Sequence, residues 1–293
     1  MSAHQPTQIS TDQQKVGLEP AAATSRLVEV NGLKLHYLDY GNEGLPPMLC
    51  IHGGGAHGHW FDYVARGFTN DYHVRALDLR GHGDSEWAEP PVYGFDVYAA
   101  DVASFVEKLD LRDFVLIGHS MGGMVSLVYT AQHPGRVRKL VVVDTTILMS
   151  ADRIARMREF GAKPASSYAT LEELVSRYRL EPAGTRMAAP EVLRHVAECS
   201  ARRHPDGAWR HKFDRRVYAT FERRDGRPLW EKVTIPALLV KGGLSERVSA
   251  EMQEEVKKRA PQVQLAEVPD SDHHVTLDNP RAFVDVVTPF LTG

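Results

Sequence analysis

The chain has 293 residues, 35 Lys and Arg against 38 Asp and Glu, and 43% hydrophobic residues. This is an ordinary globular composition, long enough for one large domain or two modest ones and too apolar for wholesale disorder. A net charge of −3, with both signs interspersed, offers no basic face for a phosphate backbone and argues against a nucleic-acid partner. There is no run of 18 apolar residues, which argues against a membrane partner. Cys50 and Cys199 form no CxxC pair, so neither a disulfide framework nor a structural zinc site is indicated. The first 25 residues lack the basic-then-apolar order of a secretory signal, and a cytoplasmic monomer or homodimer is expected.

Residues 1–25 are polar and read as a disordered tail, with folding expected to begin near Arg26. Short apolar runs follow at 26–30, 33–40, 48–51, 73–78, 114–118, 139–144, 237–242 and 263–268. Asn31-Gly32 between the first two is a hairpin signal, so those two should pair antiparallel. The later runs are nearly continuous in Val, Leu and Ile, as strands covered by helices on both faces must be. Residues 96–109 repeat apolar positions at helical spacing, with Val97, Ala100, Val102 or Ala103, Val106 and Leu109 on one side. A helix over 121–133 should stop at His133-Pro134, and a last one should start at Pro280 with Phe283, Val286, Val287 and Phe290 facing inward. Between 147 and 232 strand-like runs vanish, and helical stretches are expected near 151–160, 171–179, 190–203 and 208–221. A segment that long is not a structureless loop. The pattern predicts an α/β fold, a mostly parallel doubly wound sheet of about eight strands made by 26–146 and 233–293, with 147–232 inserted as a helical cap.

The strongest chemical signal is Gly118-His119-Ser120-Met121-Gly122, placed between a strand and a helix. A serine on so sharp a turn is pushed out at the carboxyl edge of the sheet, and its flanking glycines allow close backbone approach. His52-Gly53-Gly54-Gly55 follows the third strand and supplies backbone N–H groups that could hold an oxyanion. The run from Asp78 to Ser85 follows the fourth strand, and Asp272-His273-His274-Val275 precedes the last helix. His57 and His59 lie near the glycine run, but no carboxylate or cysteine spacing beside them indicates a metal site, and no cofactor is expected.

With these four motifs in this order, the chain resembles the α/β-hydrolase superfamily from Arg26 to its end, apart from the cap. The resemblance implies Ser120 as nucleophile and the N–H groups of Gly54 and Met121 as the oxyanion hole. It places the base on the loop after the last strand, where the family spacing to Asn279-Pro280 selects His273 over His274. His119 is less suited, because that elbow position normally points away from the reaction. The acid departs from the family pattern: Ser245 stands where an aspartate is usual, and a hydroxyl cannot stabilise an imidazolium as a carboxylate does. Asp144, after the sixth strand, and Glu246, one position along the seventh-strand loop, are the two replacements; Asp144 is preferred because a one-residue shift redirects a side chain. Asp78 and Arg80 read as structural. The cap residues Trp209, His211, Phe213, Tyr218, Phe221 and Trp230 are candidates to contact a small-molecule substrate.

What the resemblance implies is a cofactor-independent serine hydrolase acting on a small or medium carboxylic ester, lactone or amide. Two alternatives stand beside it: carbon–carbon bond hydrolysis of ring-fission products, and a small-molecule receptor on the same scaffold. Dehalogenases and epoxide hydrolases of this superfamily carry an aspartate where Ser120 stands.

Overall fold

The computed structural model describes residues 19–184 and 188–293, so most of the expected tail lies outside the described residues. Ten strands form among them: β1 (Thr24–Val30), β2 (Leu33–Asp39), β3 (Pro47–Ile51), β4 (His73–Leu77), β5 (Phe114–His119), β6 (Val137–Val143), β7 (Ala201–Arg203), β8 (Trp209–His211), β9 (Ala237–Gly242) and β10 (Gln264–Val268). Eight make one sheet in the order β1-β2-β4-β3-β5-β6-β9-β10. β2 is antiparallel to both β1 and β4, and every other pairing is parallel, so β2 alone runs against the rest. The reversal is made at Asn31 and Gly32, whose φ values of +48° and +78° suit a tight hairpin turn.

Helices cover both faces: α1 (Asp62–Ala65), α2 (Phe95–Lys108), α3 (Met121–Gln132), α4 (Ala151–Ala162), α5 (Leu171–Arg177), α6 (Pro190–Cys199), α7 (Arg216–Ala219), α8 (Arg227–Trp230), α9 (Ala250–Arg259), α10 (Val275–Asp278) and α11 (Pro280–Thr292). Because side chains alternate along a strand, each central strand feeds two cores. Leu49, Ile51, Leu116, Leu140 and Val142 pack with Val102 and Phe105 of α2 and Val125 and Val128 of α3. Met48, Cys50, Val115, Ile117, Val141 and Val143 pack with Phe283, Val287 and Phe290 of α11. Burial on both sides is why these strands carry unbroken aliphatic runs.

Two expectations need correction. In α2 the buried face is Phe95, Tyr98, Ala99, Val102, Phe105 and Val106, whereas Ala100 is exposed and Val97 half-buried. The aromatic rings bury far more apolar area than Ala100 does, and they set the helix phase. The segment from 147 to 232 is not all helical: β7 and β8 pair antiparallel, and 208–221 holds that second strand and the single turn α7 instead of a helix. Asp206-Gly207, with Gly207 at φ +84°, turns the chain between the two strands, and the expected helix over 190–203 ends at Cys199 because 201–203 is already β7.

The parallel strands bring several loops to one edge. Ser120 follows β5, Asp144 follows β6, Gly242 ends β9 and His273 follows β10, all at carboxyl ends, where ligands bind in sheets of this kind.

Candidate active site

Ser120 sits between β5 and α3 at φ +53° and ψ −114°, a backbone position rarely adopted by residues other than glycine. Its N–H donates to the Val143 carbonyl at 2.9 Å and its carbonyl accepts from Thr145 Oγ1 at 3.0 Å, which ties the turn to the end of β6. The glycines around it are required by contact. A Cβ on Gly118 would lie 2.4 Å from the Gly122 carbonyl oxygen, and one on Gly122 would lie 2.3 Å from that of Ile51.

His273 and Asp144 meet across the sheet edge, with Nδ1 of the imidazole 2.7 Å from Oδ2 of the carboxylate and both residues buried. Asp144 has φ +43°, so the chain leaves β6 in a turn that swings its side chain toward β9 and the loop after β10. The same Oδ2 accepts from Ser245 Oγ at 2.7 Å, and Oδ1 accepts from the Gly242 N–H at 3.2 Å. Ser245, conspicuous in the sequence as the missing acid, thus donates to the carboxylate that stands beside His273. Glu246 is exposed at the cavity wall, and among the described residues it makes no hydrogen bond to His273. Burial pushes the Asp144 carboxyl up to about 6, opposed by the Ser245 and Gly242 hydrogen bonds. Burial pushes His273 down, and the adjacent Arg247 works the same way. At neutral pH the pair is therefore a neutral imidazole against a carboxylate. The carboxylate can only accept, so Nδ1 carries the proton and Nε2 is left with a free lone pair.

The loop carrying His273 is set by its own sequence. Asp278 Oδ2 accepts from the Asp272 N–H at 2.9 Å, Asn279 Nδ2 donates to the Pro269 carbonyl at 3.0 Å, and Asn279 Oδ1 caps α11 at the Ala282 N–H. His274 faces another way and bonds the Pro182 carbonyl at 2.9 Å through Nε2. His119 does not point away as expected. It lines the cavity, but its Nε2 donates to the His273 carbonyl at 2.8 Å, which occupies that nitrogen.

The glycine run after β3 is held by His52. Its Nε2 accepts from the Leu79 N–H at 3.0 Å, so Nδ1 bears the proton it donates to the Gly53 carbonyl at 2.7 Å. Gly53 lies against Ser120, since a Cβ there would be 3.2 Å from Ser120 Cβ. A Cβ on Gly54 would be 2.8 Å from the Tyr218 hydroxyl, so Gly54 keeps that space open under the inserted segment. Asp78 and Arg80 are structural: Asp78 accepts from the N–H groups of Gly58 and Asp84, at 2.6 and 2.8 Å, and Arg80 pairs with buried Asp101.

These residues open into a cavity of about 600 Å³ whose walls include Gly53, Gly54, Ser120, Met121, His273 and His274. Of the cap aromatics singled out in the sequence, Tyr218 and Phe221 line it; Trp209, His211, Phe213 and Trp230 do not. Trp230 is fully buried in the core beneath, and Trp209 and His211 belong to the β7–β8 pairing. The apolar wall is instead made by Trp60, Met149, Met157 and Phe160, with Arg153, Arg156 and Arg247 adding positive charge and Glu181 and Glu246 negative. The amphipathic helix α4 supplies four of these residues. Its sequence marked a helix, but nothing local showed which side would meet the cavity.

A family model described as alpha/beta hydrolase fold matches residues 46–280. The chain belongs to that family, and it is a hydrolase. It is similar to 2-(acetamidomethylene)succinate hydrolase of Mesorhizobium japonicum, 27% identical over 91% of this chain and 95% of the relative. It is similar also to an esterase of Mycobacterium tuberculosis, 29% identical over 83% and 81% of the two chains. A 34% match to mouse epoxide hydrolase 4 is confined to 43% of this chain and 36% of that one. Among solved structures, that of E-2-(acetamidomethylene)succinate hydrolase superposes with a TM-score of 0.80 at 24% identity, covering 93% of this chain and all of that one, a likeness of fold. No helix among the described residues is long and apolar enough to cross a membrane.

Proposed function

We propose that this hydrolase cleaves small or medium carboxylic esters, lactones or amides through Ser120, His273 and Asp144. The observation that carries the reading is the 2.7 Å contact between His273 and Asp144, beside a cavity that also exposes Ser120 on its constrained turn. Nε2 of a neutral His273 takes the Ser120 proton as its oxygen attacks the carbonyl carbon, and Asp144 stabilises the imidazolium that results. The N–H groups of Gly54 and Met121 receive the oxyanion of the tetrahedral intermediate. The imidazolium then returns its proton to the leaving oxygen or nitrogen, and water repeats the sequence on the acyl-enzyme. Residues 147–232 act as the cap that roofs the cavity.

The wall favours an acyl group with both an apolar surface and an anionic group, since its three arginines, Arg153, Arg156 and Arg247, outnumber its two glutamates, Glu181 and Glu246. Met149, Met157 and Phe160 supply the first feature, and Arg153 and Arg156 of α4 the second. Neither arginine forms an ion pair with a carboxylate among the described residues. The similarity to the Mesorhizobium relative, named as a hydrolase of a succinate derivative, supports an anionic substrate.

The test has two parts. A fluorophosphonate probe should label the protein and not Ser120→Ala, and p-nitrophenyl butyrate hydrolysis should disappear with the labelling; labelling that persists in the variant would reject Ser120. Absence of turnover in the intact protein, with ligand binding retained, would favour the receptor reading. Monoesters of dicarboxylic acids should then be better substrates than neutral esters of equal length. Arg153→Met with Arg156→Met should raise KM for the anionic series by about tenfold and leave the neutral series unchanged, which is roughly the loss of one charge-assisted contact.

A further inference from the structure

A second cluster of reactive side chains lies outside the catalytic cavity, where the inserted segment meets the core. His59 stands in the turn that precedes α1, and Asp62 is the first residue of α1. His195 and Cys199 come from α6, four positions apart, so they project from one face of that helix. His59, His195 and Cys199 each offer a ligand atom, and these atoms all lie within 4.8 Å of one another. Asp62 Oδ2 is not one of these mutually close atoms but borders them, 2.8 Å from His59 Nδ1 and 2.6 Å from His195 Nε2, while the Cys199 sulfur lies 4.0 Å from the same His195 nitrogen. The three ligating side chains are half-buried, so an ion can reach them, whereas Asp62 is buried and is held in place by the Tyr40 hydroxyl at 2.6 Å.

We propose that His59, Asp62, His195 and Cys199 form a tetrahedral site for Zn²⁺ that clasps α6 to the core. Two imidazoles, a thiolate and a carboxylate are borderline donors of the kind zinc selects. Their charges sum with the ion to zero, which suits a partly buried position. Zinc bonds of about 2.0 to 2.3 Å put tetrahedral donors roughly 3.4 to 3.7 Å apart, so on binding the two Asp62–imidazole contacts of 2.8 and 2.6 Å open by roughly 0.7 Å and the 4.0 Å Cys199–His195 contact closes by roughly 0.4 Å, through side-chain rotation. On binding, the thiol and any protonated imidazole release their protons, and the carboxylate exchanges its two imidazole hydrogen bonds for a bond to the metal.

Packing already holds the two halves together. Val192 and Val196 of α6 are buried against Ala56, Trp60, Tyr63 and Leu277 of the core, so the ligands approach one another whether or not the ion is bound. A bare His–Asp–His hydrogen-bonded bridge would have no need of Cys199, yet its sulfur stands 4.0 Å from His195 Nε2 and within 4.8 Å of the ligand atom of His59. All four protein ligands leave no open coordination position, which makes the site structural, as closed zinc sites are. In the sequence, no carboxylate or cysteine spacing beside His57 and His59 indicates a metal site; the fold brings positions 59 and 62 together with 195 and 199.

The experiment uses the whole chain, stripped with a chelator and titrated with Zn²⁺ against a chromophoric competitor. One equivalent should bind, with affinity weakened at least tenfold in Cys199→Ser and again in His195→Gln. Co²⁺ in place of Zn²⁺ should give the intense visible bands of tetrahedral coordination with a thiolate-to-metal band, and Cys199→Ser should lose the latter. Zinc should raise the thermal midpoint of the intact protein and leave that of the Cys199→Ser/His195→Gln double variant unchanged; equal melting of the two stripped proteins shows that the variant folds. Less than one equivalent bound, affinity unchanged in the double variant, or a cobalt spectrum without the thiolate band overturns the proposal.

Discussion

Replacing Asp144 by Asn tests the centre of the mechanism, because the three hydrogen bonds on this buried carboxylate dictate how the amide will sit. Oδ2 receives two donors, His273 Nδ1 and Ser245 Oγ, and Oδ1 receives one, the Gly242 N–H. The amide oxygen will therefore take the Oδ2 position and leave its NH₂ facing Gly242. His273 keeps its bond and its tautomer but loses the negative charge that stabilises the imidazolium. Reversal of the tautomer costs about 10⁴-fold in a triad of this kind, so loss of charge alone should be smaller, about 10³-fold in kcat, or roughly 4 kcal/mol in the barrier. The buried Gly242 N–H, unpaired, should cost about 1 to 3 kcal/mol of stability. The assay is kcat on a p-nitrophenyl ester with thermal unfolding followed in parallel, so that a folding loss is not read as a catalytic one. Glu246→Gln is the control, and it should keep most activity. A nearly normal Asp144→Asn beside a crippled Glu246→Gln would refute the reasoning and move the acid to the β9 loop.

Two further outcomes follow from contacts at the same edge. Ser245→Ala removes a donor from ionised Asp144, so the carboxyl should rise further above its value of about 6, and the acidic limb of kcat/KM against pH should move to higher pH; a shift to lower pH would contradict the assigned bond. Gly122→Ala puts a Cβ 2.3 and 2.4 Å from the carbonyl oxygens of Ile51 and His52, backbone atoms of a central strand and its exit that cannot swing aside. It should destabilise the protein by about 3 kcal/mol or more, measured by denaturant unfolding, and a loss under 1 kcal/mol would show that the elbow can relax.

What the sequence determined by itself was whatever depends on neighbours along the chain. The central strands of the sheet were legible because burial on both faces demands unbroken aliphatic runs, β1 and β2 because Asn31-Gly32 joins them as a hairpin, and the turn at Ser120 because its glycines must flank it at fixed offsets. The register of His273 was legible too, since Asp278 and Asn279 hold that loop within a few residues of it. What only the tertiary structure decided was which distant groups share a point in space. The sequence preferred Asp144 but left Glu246 open, and in the structure the chain leaves β6 at a positive φ that brings the Asp144 carboxylate against the imidazole. Periodicity marked α2 as a helix but misplaced its buried face, because the bulk of Tyr98 and Phe105 sets the phase that the smaller residues follow. The cavity wall was legible only in part. Of the aromatic residues the sequence marked, Tyr218 and Phe221 line the cavity while Trp209, His211, Phe213 and Trp230 do not, and α4 joins the wall, because which side of an inserted segment meets the site depends on how the whole segment packs against the sheet.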